Sequence, residues 1–427
     1  MDKENSRTMI LNQCLEALGL VLEYDLNDYH THQHALRVGE GCVLAGERMG
    51  LDRARLQKMY YAGMLHDTGK IAIDLKLLSK HGRLTDEEFE IVKTHAVHGS
   101  RILAPLPELN TIALWVRWHH ERWDGTGYPD GLRRDEIPRE VQILSAVDCL
   151  DSLQTPRLDR DRLTPERAFD VIRNDRGTFF NPEVLDLVFE LVRDGTLVPG
   201  RSPEKFLALK SDFNSVPLAE DIYGRWEGYG ITSLYPVLRL FARVIDAKHE
   251  YTAGHSTRVS ILARYLVESM GLPTEDIIRV EVAGLLHDAG KVSIPVDILD
   301  KTGKPTDREW EYIRGHPLRS SDILKSITAL DDIADIVAYH HERLDGNGYP
   351  RNIQGTDIPV LSQVITVADT YDAITSNRTY RPRQSPEAAR EVIRAGRGTQ
   401  FNDRAASILL DTPPKYIDAL FDMHGGL

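Results

Sequence analysis

Apolar positions along this chain recur at three- and four-residue spacings, and strict alternation is scarce. The run from Val259 to Met270 is the plainest case. Its apolar side chains gather on one side of a 3.6-residue helix, and Gly271 follows as a stop. Helix starts are marked too. Thr85-Asp86-Glu87-Glu88 and Thr306-Asp307-Arg308-Glu309 each place a Glu three residues after a Thr, the pattern of a capping box. The helices they open are expected to run on into His95 and His316. Thr164-Pro165-Glu166 and Ser385-Pro386-Glu387 put proline at the first helical position. The pattern predicts an all-α protein. The stretch 193–228, richer in Gly, Pro and charge, reads as a linker, and a short irregular tail is expected after Asp411-Thr412-Pro413-Pro414.

The same motifs occur twice. His66-Asp67-Thr68-Gly69-Lys70 and His287-Asp288-Ala289-Gly290-Lys291 each end an apolar run, and 287 − 66 gives an offset of 221. At that offset His34 and Arg37 align with His255 and Arg258, His95 with His316, and Asp148 with Asp369. Trp118-His119-His120-Glu121-Arg122 aligns with Tyr339-His340-His341-Glu342-Arg343, and Asp124-Gly-Thr-Gly-Tyr-Pro129 with Asp345-Gly-Asn-Gly-Tyr-Pro350. A repeat of this period indicates a duplicated domain rather than a solenoid. The chain therefore reads as an N-terminal domain over 1–192, a linker over 193–228 and a C-terminal domain over 229–427, each a bundle of five to eight helices.

Composition narrows the function. The 427 residues carry a formal charge of −13, which supplies no basic field for a DNA or RNA polymer. A small anionic substrate held by a few cations remains open. Three cysteines, Cys14, Cys42 and Cys149, form no close pair, as expected for a reducing compartment. The N-terminus lacks the cationic start and long apolar core of a signal peptide, and no window approaches the roughly 20 apolar residues of a membrane span. The expectation is a cytoplasmic protein with no membrane partner.

The chemistry lies in the doubled residues. A lone histidine on a helix is usually structural. Here five His and two Asp recur at one offset in two copies that differ at most other positions: His255, His287, Asp288, His316, His340, His341 and Asp369, and before them His34, His66, Asp67, His95, His119, His120 and Asp148. Imidazoles and carboxylates without thiolates suit Fe, Mn, Ni or Zn. Seven donors exceed one tetrahedral ion and suit two divalent metals with a bridging carboxylate, an arrangement able to activate a water for in-line attack on a phosphodiester. Adjacent residues of a regular helix point about 100° apart, so neither His287-Asp288 nor His340-His341 is expected to clamp one ion; each pair should serve two faces of the centre. Lys291 and Lys70 are candidate catalytic cations that meet a phosphate oxygen.

These motifs resemble the HD-GYP family, a branch of the HD superfamily of metal-dependent phosphohydrolases. The strings HHERWDGTGYP and HHERLDGNGYP, with HDxGK, the upstream His, the lone His and the late Asp, carry the resemblance. It implies an all-helical fold, a di-metal centre (often iron or manganese) and hydrolysis of cyclic dinucleotides, chiefly cyclic di-GMP, to pGpG or GMP. One metal would take His255, His287, Asp288 and Asp369; the other would share Asp288 with His316, His340 and His341. Gly346 and Gly348 permit the tight turns of the Gly-Tyr-Pro loop, and Tyr349 is a candidate for substrate contact or for packing. The stretch from Asp372 to Arg381 resembles the family's phosphate- or base-binding segment and makes Arg378 and Arg381 the candidates for substrate binding. The first copy keeps the counterparts Arg157 and Arg160 but has Asp159 where the second has Tyr380. Family members with a third metal carry a Glu four residues before the first His; Tyr251 and His30 stand there, and His30 is a candidate substitute. Two alternatives stand beside hydrolysis of cyclic di-GMP. One is action on cyclic GMP-AMP or another nucleotide. The other is a non-catalytic sensor or adaptor that binds a cyclic dinucleotide or a GGDEF-type cyclase.

Overall fold

Helix-forming periodicity becomes helix nearly throughout. The computed structural model describes residues 12–19, 34–78, 80, 82–154, 163–198, 235–247, 254–299, 301, 303–376 and 383–425. The chain divides into two units, Met1–Glu227 and Gly228–Leu427. Most of the segment read as a linker falls outside the described residues.

The first unit contains α1 (12–19), α2 (His34–Arg48), α3 (Arg53–Leu65), α4 (Leu75–Leu78), α5 (Asp86–Leu103), α6 (Asn110–Trp118), α7 (Arg139–Gln154), α8 (Pro165–Arg173) and α9 (Pro182–Arg193). The second contains α10 (Tyr235–Ala247), α11 (His255–Ser269), α12 (Thr274–Leu286), α13 (Val296–Leu299), α14 (Asp307–Arg314), α15 (His316–Lys325), α16 (Asp331–Ala338), α17 (Val360–Thr375), α18 (Pro386–Gly396), α19 (Asp403–Asp411) and α20 (Pro414–Gly425). Among the described residues extended pairing is confined to two isolated bridges, Arg176 with Phe180 and Arg397 with Phe401. No helix among them is long and apolar enough to cross a membrane.

Each unit has more helical segments than the five to eight expected, and the breaks have local causes. Both capping boxes form, at Thr85 with Glu88 and at Thr306 with Glu309. In the first unit the helix then runs unbroken through His95. In the second it stops at Arg314 and restarts at His316, because Pro317 has no N–H to give the carbonyl of Ile313. That carbonyl accepts instead from Nδ1 of His316 at 2.7 Å. The tail after Asp411 is also helical, contrary to expectation. Thr412 is extended, Pro414 opens α20 at a position that needs no N–H, and Ile417 is fully buried. The Tyr265 and Tyr416 rings pack 5.6 Å apart, tying α20 to α11.

The core of the second unit sits where α11, α12 and α17 meet. Val259, Leu262, Leu266, Val280, Ala283, Val364, Val367 and Ala368 are fully buried there. Val38, Cys42, Leu65, Val116 and Val141 fill the matching place in the first. Each buried aliphatic side chain contributes on the order of 1.5–3 kcal/mol. This packing fixes the helix ends on which the polar cluster stands. Cys14, Cys42 and Cys149 form no disulfide.

Candidate metal centres

The clustered histidines stand mostly at or beside helix ends. His287 caps α12 in a helical conformation (φ −56°, ψ −33°), and Asp288 leaves the helix at φ −96°, ψ 7° before a short 3-10 turn. Gly290 lies in that turn, and a Cβ placed on it would fall 2.2 Å from the carbonyl oxygen of His316. Gly69 is in the same position against His95, at 1.9 Å. The glycine of each HDxGK motif is thus required for close approach, which seats the turn on the helix carrying the next histidine.

Two triads result in the second unit. His255, His287 and Asp288 form one, and His316, His340 and His341 the other; within each, the ligand atoms lie within 4.8 Å of one another. Asp288 faces both. Its Oδ2 lies 3.6 Å from His255 Nε2 and 3.4 Å from His287 Nε2, while its Oδ1 lies 3.3 Å from His316 Nε2 and 3.9 Å from His340 Nε2. Asp369 Oδ1 joins the first group, 3.4 Å from His255 Nε2. The first unit repeats the plan. His34, His66 and Asp148 form one triad and His95, His119 and His120 the other. Asp67 lies between them, Oδ2 3.2 Å from His66 and Oδ1 3.6 Å from His95.

One expectation about side-chain direction fails. His340 and His341 turn toward the same triad, their rings 4.1 Å apart. The rule of about 100° between neighbours holds inside a helix, but α16 ends at Ala338 and Tyr339 is already distorted to φ −118°, ψ 13°. His119 and His120 behave alike, with rings 4.0 Å apart.

The imidazoles are aimed. Nδ1 of His287, His316 and His340 lies 2.7–2.8 Å from the carbonyls of Gly284, Ile313 and Val337 respectively, one turn back. A carbonyl only accepts, so Nδ1 carries the proton and Nε2 presents a lone pair to the centre. His66, His95 and His119 bond Gly63, Val92 and Val116 in the same way. His255 is held by a carboxylate instead: its Nδ1 is 2.7 Å from Asp372 Oδ2, and Arg258 Nε grips Asp372 Oδ1 at 2.5 Å. His34, Asp151 and Arg37 repeat this arrangement, with Arg37 Nε 2.8 Å from Asp151 Oδ1. Motif reading gave Asp151 and Asp372 no role, although each sits one helical turn after Asp148 or Asp369 and shares the 221 offset. Glu342 was also left without one. It is buried and accepts the N–H of Arg351 at 2.6 Å, anchoring the Gly-Tyr-Pro loop. Glu121 takes the N–H groups of Asp130, Gly131 and Leu132.

Burial and neighbouring charge prepare the donors. Burial pushes His341 and His120 down to about 3, and His340 and His119 well below the ordinary histidine range, so these rings are neutral. Burial opposes the charge of Asp288, but His287 and Lys291 beside it hold its carboxyl well below the usual range. For His34 burial acts against protonation, yet Asp148 and Asp151 outweigh it and raise the ring to about 9.

The donor set fits metal ions. His255 Nε2, His287 Nε2 and Asp288 Oδ1 are buried without hydrogen-bond partners, and an orphaned buried donor or acceptor normally has a ligand. Two Nε2 atoms, of His316 and His340, also face each other at 3.3 Å. Lys291 is not turned outward: its Nζ is 2.5 Å from Asp288 Oδ2, as Lys70 is from Asp67. The Tyr349 ring stacks on His341 at 4.7 Å and 34°, and Tyr128 on His120 at 4.9 Å. Arg157, Arg160, Arg378, Arg381, Tyr251 and His30 lie outside the described residues.

Comparison with known proteins gives a consistent family. An HD domain model matches residues 23–184 and again 239–405. The chain is 28% identical over 304 residues to the 3'3'-cGAMP-specific phosphodiesterase 3 of Vibrio cholerae, covering 71% of this chain and 63% of that one. It is 27% identical to 3'3'-cGAMP-specific phosphodiesterase 1 of the same organism, covering 84% and 82%. A cyclic di-GMP phosphodiesterase of Thermotoga maritima is 38% identical over 46% of this chain and 53% of its own length. This chain thus spans less than two thirds of the first and third of these relatives. The crystal structure of a cyclic GMP-AMP-specific phosphodiesterase of V. cholerae shares the fold, with a TM-score of 0.60 at 21% identity over 94% of this chain and 98% of that one.

Proposed function

Because the chain belongs to the HD domain family, whose model it matches twice, we propose that it is a tandem phosphodiesterase of the HD-GYP type that hydrolyses cyclic dinucleotides, cyclic di-GMP foremost, to pGpG or GMP. The observation that carries this reading is Asp288, whose two oxygens are divided between two histidine groups. His255, His287, Asp288 and Asp369 would hold one divalent ion, and His316, His340 and His341, with Asp288 shared, the other. Iron or manganese suits these donors, with nickel or zinc next; bound there, the ions supply Lewis acidity and an activated water for phosphoryl transfer.

The chain's own groups do the rest. The neutral, carbonyl-oriented imidazoles keep their lone pairs turned inward. Asp372 and Arg258 fix the His255 ring. Lys291 places an ammonium at the edge of the centre, where it meets a phosphate oxygen once Asp288 is engaged elsewhere. Glu342 holds the loop that sets Tyr349 over His341. Arg378 and Arg381, with Arg157 and Arg160 in the first copy, are the proposed phosphate and base contacts. The first unit keeps both donor groups and binds metal on this reading, which also admits a GGDEF-type cyclase as a protein partner. Three cysteines outside any disulfide suit the cytoplasm.

Cyclic GMP-AMP is the second substrate reading, since relatives named for it align with up to 84% of the chain. The test is metal analysis and chromatographic product analysis on a panel of cyclic di-GMP, cyclic GMP-AMP and cyclic di-AMP. The proteins are the wild type, His66→Ala/Asp67→Ala and His287→Ala/Asp288→Ala. Full activity in the second double variant, with its metal content intact, would overturn the assignment of the second unit's site.

A further inference from the structure

Beside the second unit's centre lies a cleft of about 440 Å³ lined by Glu311, Arg314, Asn347, Tyr349 and Asn352, among others. Tyr349 is one of its lining residues, and the Tyr349 ring lies 4.7 Å from His341 and 6.5 Å from His316. A group bound there is therefore next to the reacting centre. Glu311 and Arg314 are one helical turn apart on α14, the usual spacing for an ion pair, yet they do not pair. Among the described residues neither charged group has a hydrogen-bond or ion-pair partner. Arg314 rests instead over the ring of Trp310, at 5.6 Å, and Trp310 is itself 39% exposed.

In the first unit the same positions pair with one another. Glu90 and Lys93 stand where Glu311 and Arg314 stand, and there they bond at 2.6 Å. The Lys93 ammonium also lies over the rings of Phe89 and Tyr128, at 5.0 and 5.6 Å, and those two rings touch edge to face at 6.4 Å. In the second unit no ring contact joins Trp310 to Tyr349. The positions whose charges pair with each other in one copy line a cleft with unpaired charge in the other.

From this contrast we infer that the cleft of the second unit is a guanine-base subsite in which Arg314 and Glu311 read the base and Tyr349 borders its face. This rests on the cyclic-dinucleotide reading above and extends it to which base is held. The chemistry is complementary to guanine. A guanidinium donates in parallel to O6 and N7 of guanine. A carboxylate is acceptor-only and takes the N1–H and N2–H donors of the other edge. Adenine presents an amino group to the arginine and a bare ring nitrogen to the carboxylate, so both contacts turn unfavourable. A substrate with one guanine, such as cyclic GMP-AMP, then enters in a single orientation and is opened first at one fixed phosphodiester.

The experiment titrates the metal-loaded full chain calorimetrically with GMP and with AMP, and assays the same proteins on cyclic di-GMP, cyclic di-AMP and cyclic GMP-AMP. The wild type should bind GMP at least roughly tenfold more tightly than AMP. Arg314→Ala and the isosteric Glu311→Gln should each reduce that preference by about ten- to a hundredfold and raise KM for cyclic di-GMP more than they lower kcat. Arg314→Lys, which still donates to O6 and N7 but without the rigid fork, should restore only part of the preference, and Lys93→Ala should leave it unchanged. Equal binding of AMP and GMP by the wild type, or an unaltered preference in both Arg314→Ala and Glu311→Gln, overturns the subsite. Guanine preference without hydrolysis of any cyclic dinucleotide instead overturns the activity and leaves the subsite standing. A mixture of linear isomers from cyclic GMP-AMP overturns the single orientation.

Discussion

Asp372 Oδ2 lies 2.7 Å from Nδ1 of His255, and the same carboxylate is gripped by Arg258. The imidazole is thereby oriented from behind by a group that never faces the centre. Losing such an outer carboxylate costs about 10–100-fold in metal affinity. Asp372→Asn is therefore expected to weaken metal binding to the second unit by that factor while leaving helix content unchanged, and Asp151→Asn to do the same for the first. Competition with a chromophoric chelator measures both. Unchanged affinity in Asp372→Asn would show that packing alone holds the His255 ring.

Lys291 Nζ lies 2.5 Å from Asp288 Oδ2, the oxygen that also faces His255 and His287. If the ammonium serves substrate phosphate, Lys291→Ala keeps its metal and loses about a hundredfold in kcat, the scale seen when one charge-stabilising donor is removed. If the ammonium only neutralises Asp288, the same variant keeps its kcat. Metal content read alongside single-turnover rates separates the two.

Gly290 has no room for a side chain, with the His316 carbonyl 2.2 Å and the Ser320 nitrogen 2.5 Å from a built Cβ. Gly290→Ala is expected to destabilise the second unit by about 1–3 kcal/mol, the usual scale of overpacking, and to displace His316. Chemical denaturation and metal titration report the two effects. A variant as stable as the wild type would mean that the turn can move away from α15 at no cost.

Acid should act through the neutral histidines. Burial lowers His341 to about 3, whereas an unfolded histidine titrates near 6.5. Between these values the unfolded chain binds the extra proton, so this group's contribution falls as pH drops below about 6.5. His34, raised to about 9, acts oppositely: its stabilisation is complete below about 6.5 and fades only as pH rises toward 9. Across pH 6.5 to 4 the His34 contribution is constant and that of His341 is not. Metal-free His341→Gln should therefore lose less unfolding free energy over that window than the metal-free wild type, measured by urea denaturation at each pH. Parallel curves would remove His341 as a source of acid sensitivity.

Much of this architecture was legible in the chain. Periodicity in Val259–Met270, the Thr85 and Thr306 boxes and the prolines at Pro165 and Pro386 all mark helices that form. The tail and the break before His316 were not anticipated. Pro414 and Pro317 each act through one missing N–H, and whether that starts, splits or ends a helix depends on what packs beside it. The outer partners Asp372 and Glu342 were hidden for a related reason: each acts on a group far away in sequence or on backbone N–H, and neither leaves a residue-type signature.

The sequence by itself determined the duplication and the donor inventory, because fourteen His and Asp positions recur at one offset while their surroundings differ. Only the tertiary structure decided how those donors are shared. Asp288 faces two groups, and His340 and His341 face one, because each pair lies just past a helix end, where backbone torsions depart from 100° per residue. Those ends are positioned by the buried contacts of α11, α12 and α17, the last of which comes from a distant part of the chain. The unpaired charges at Glu311 and Arg314 and the paired ones at Glu90 and Lys93 differ by the same logic: which charges pair is set by the neighbours the fold places around them.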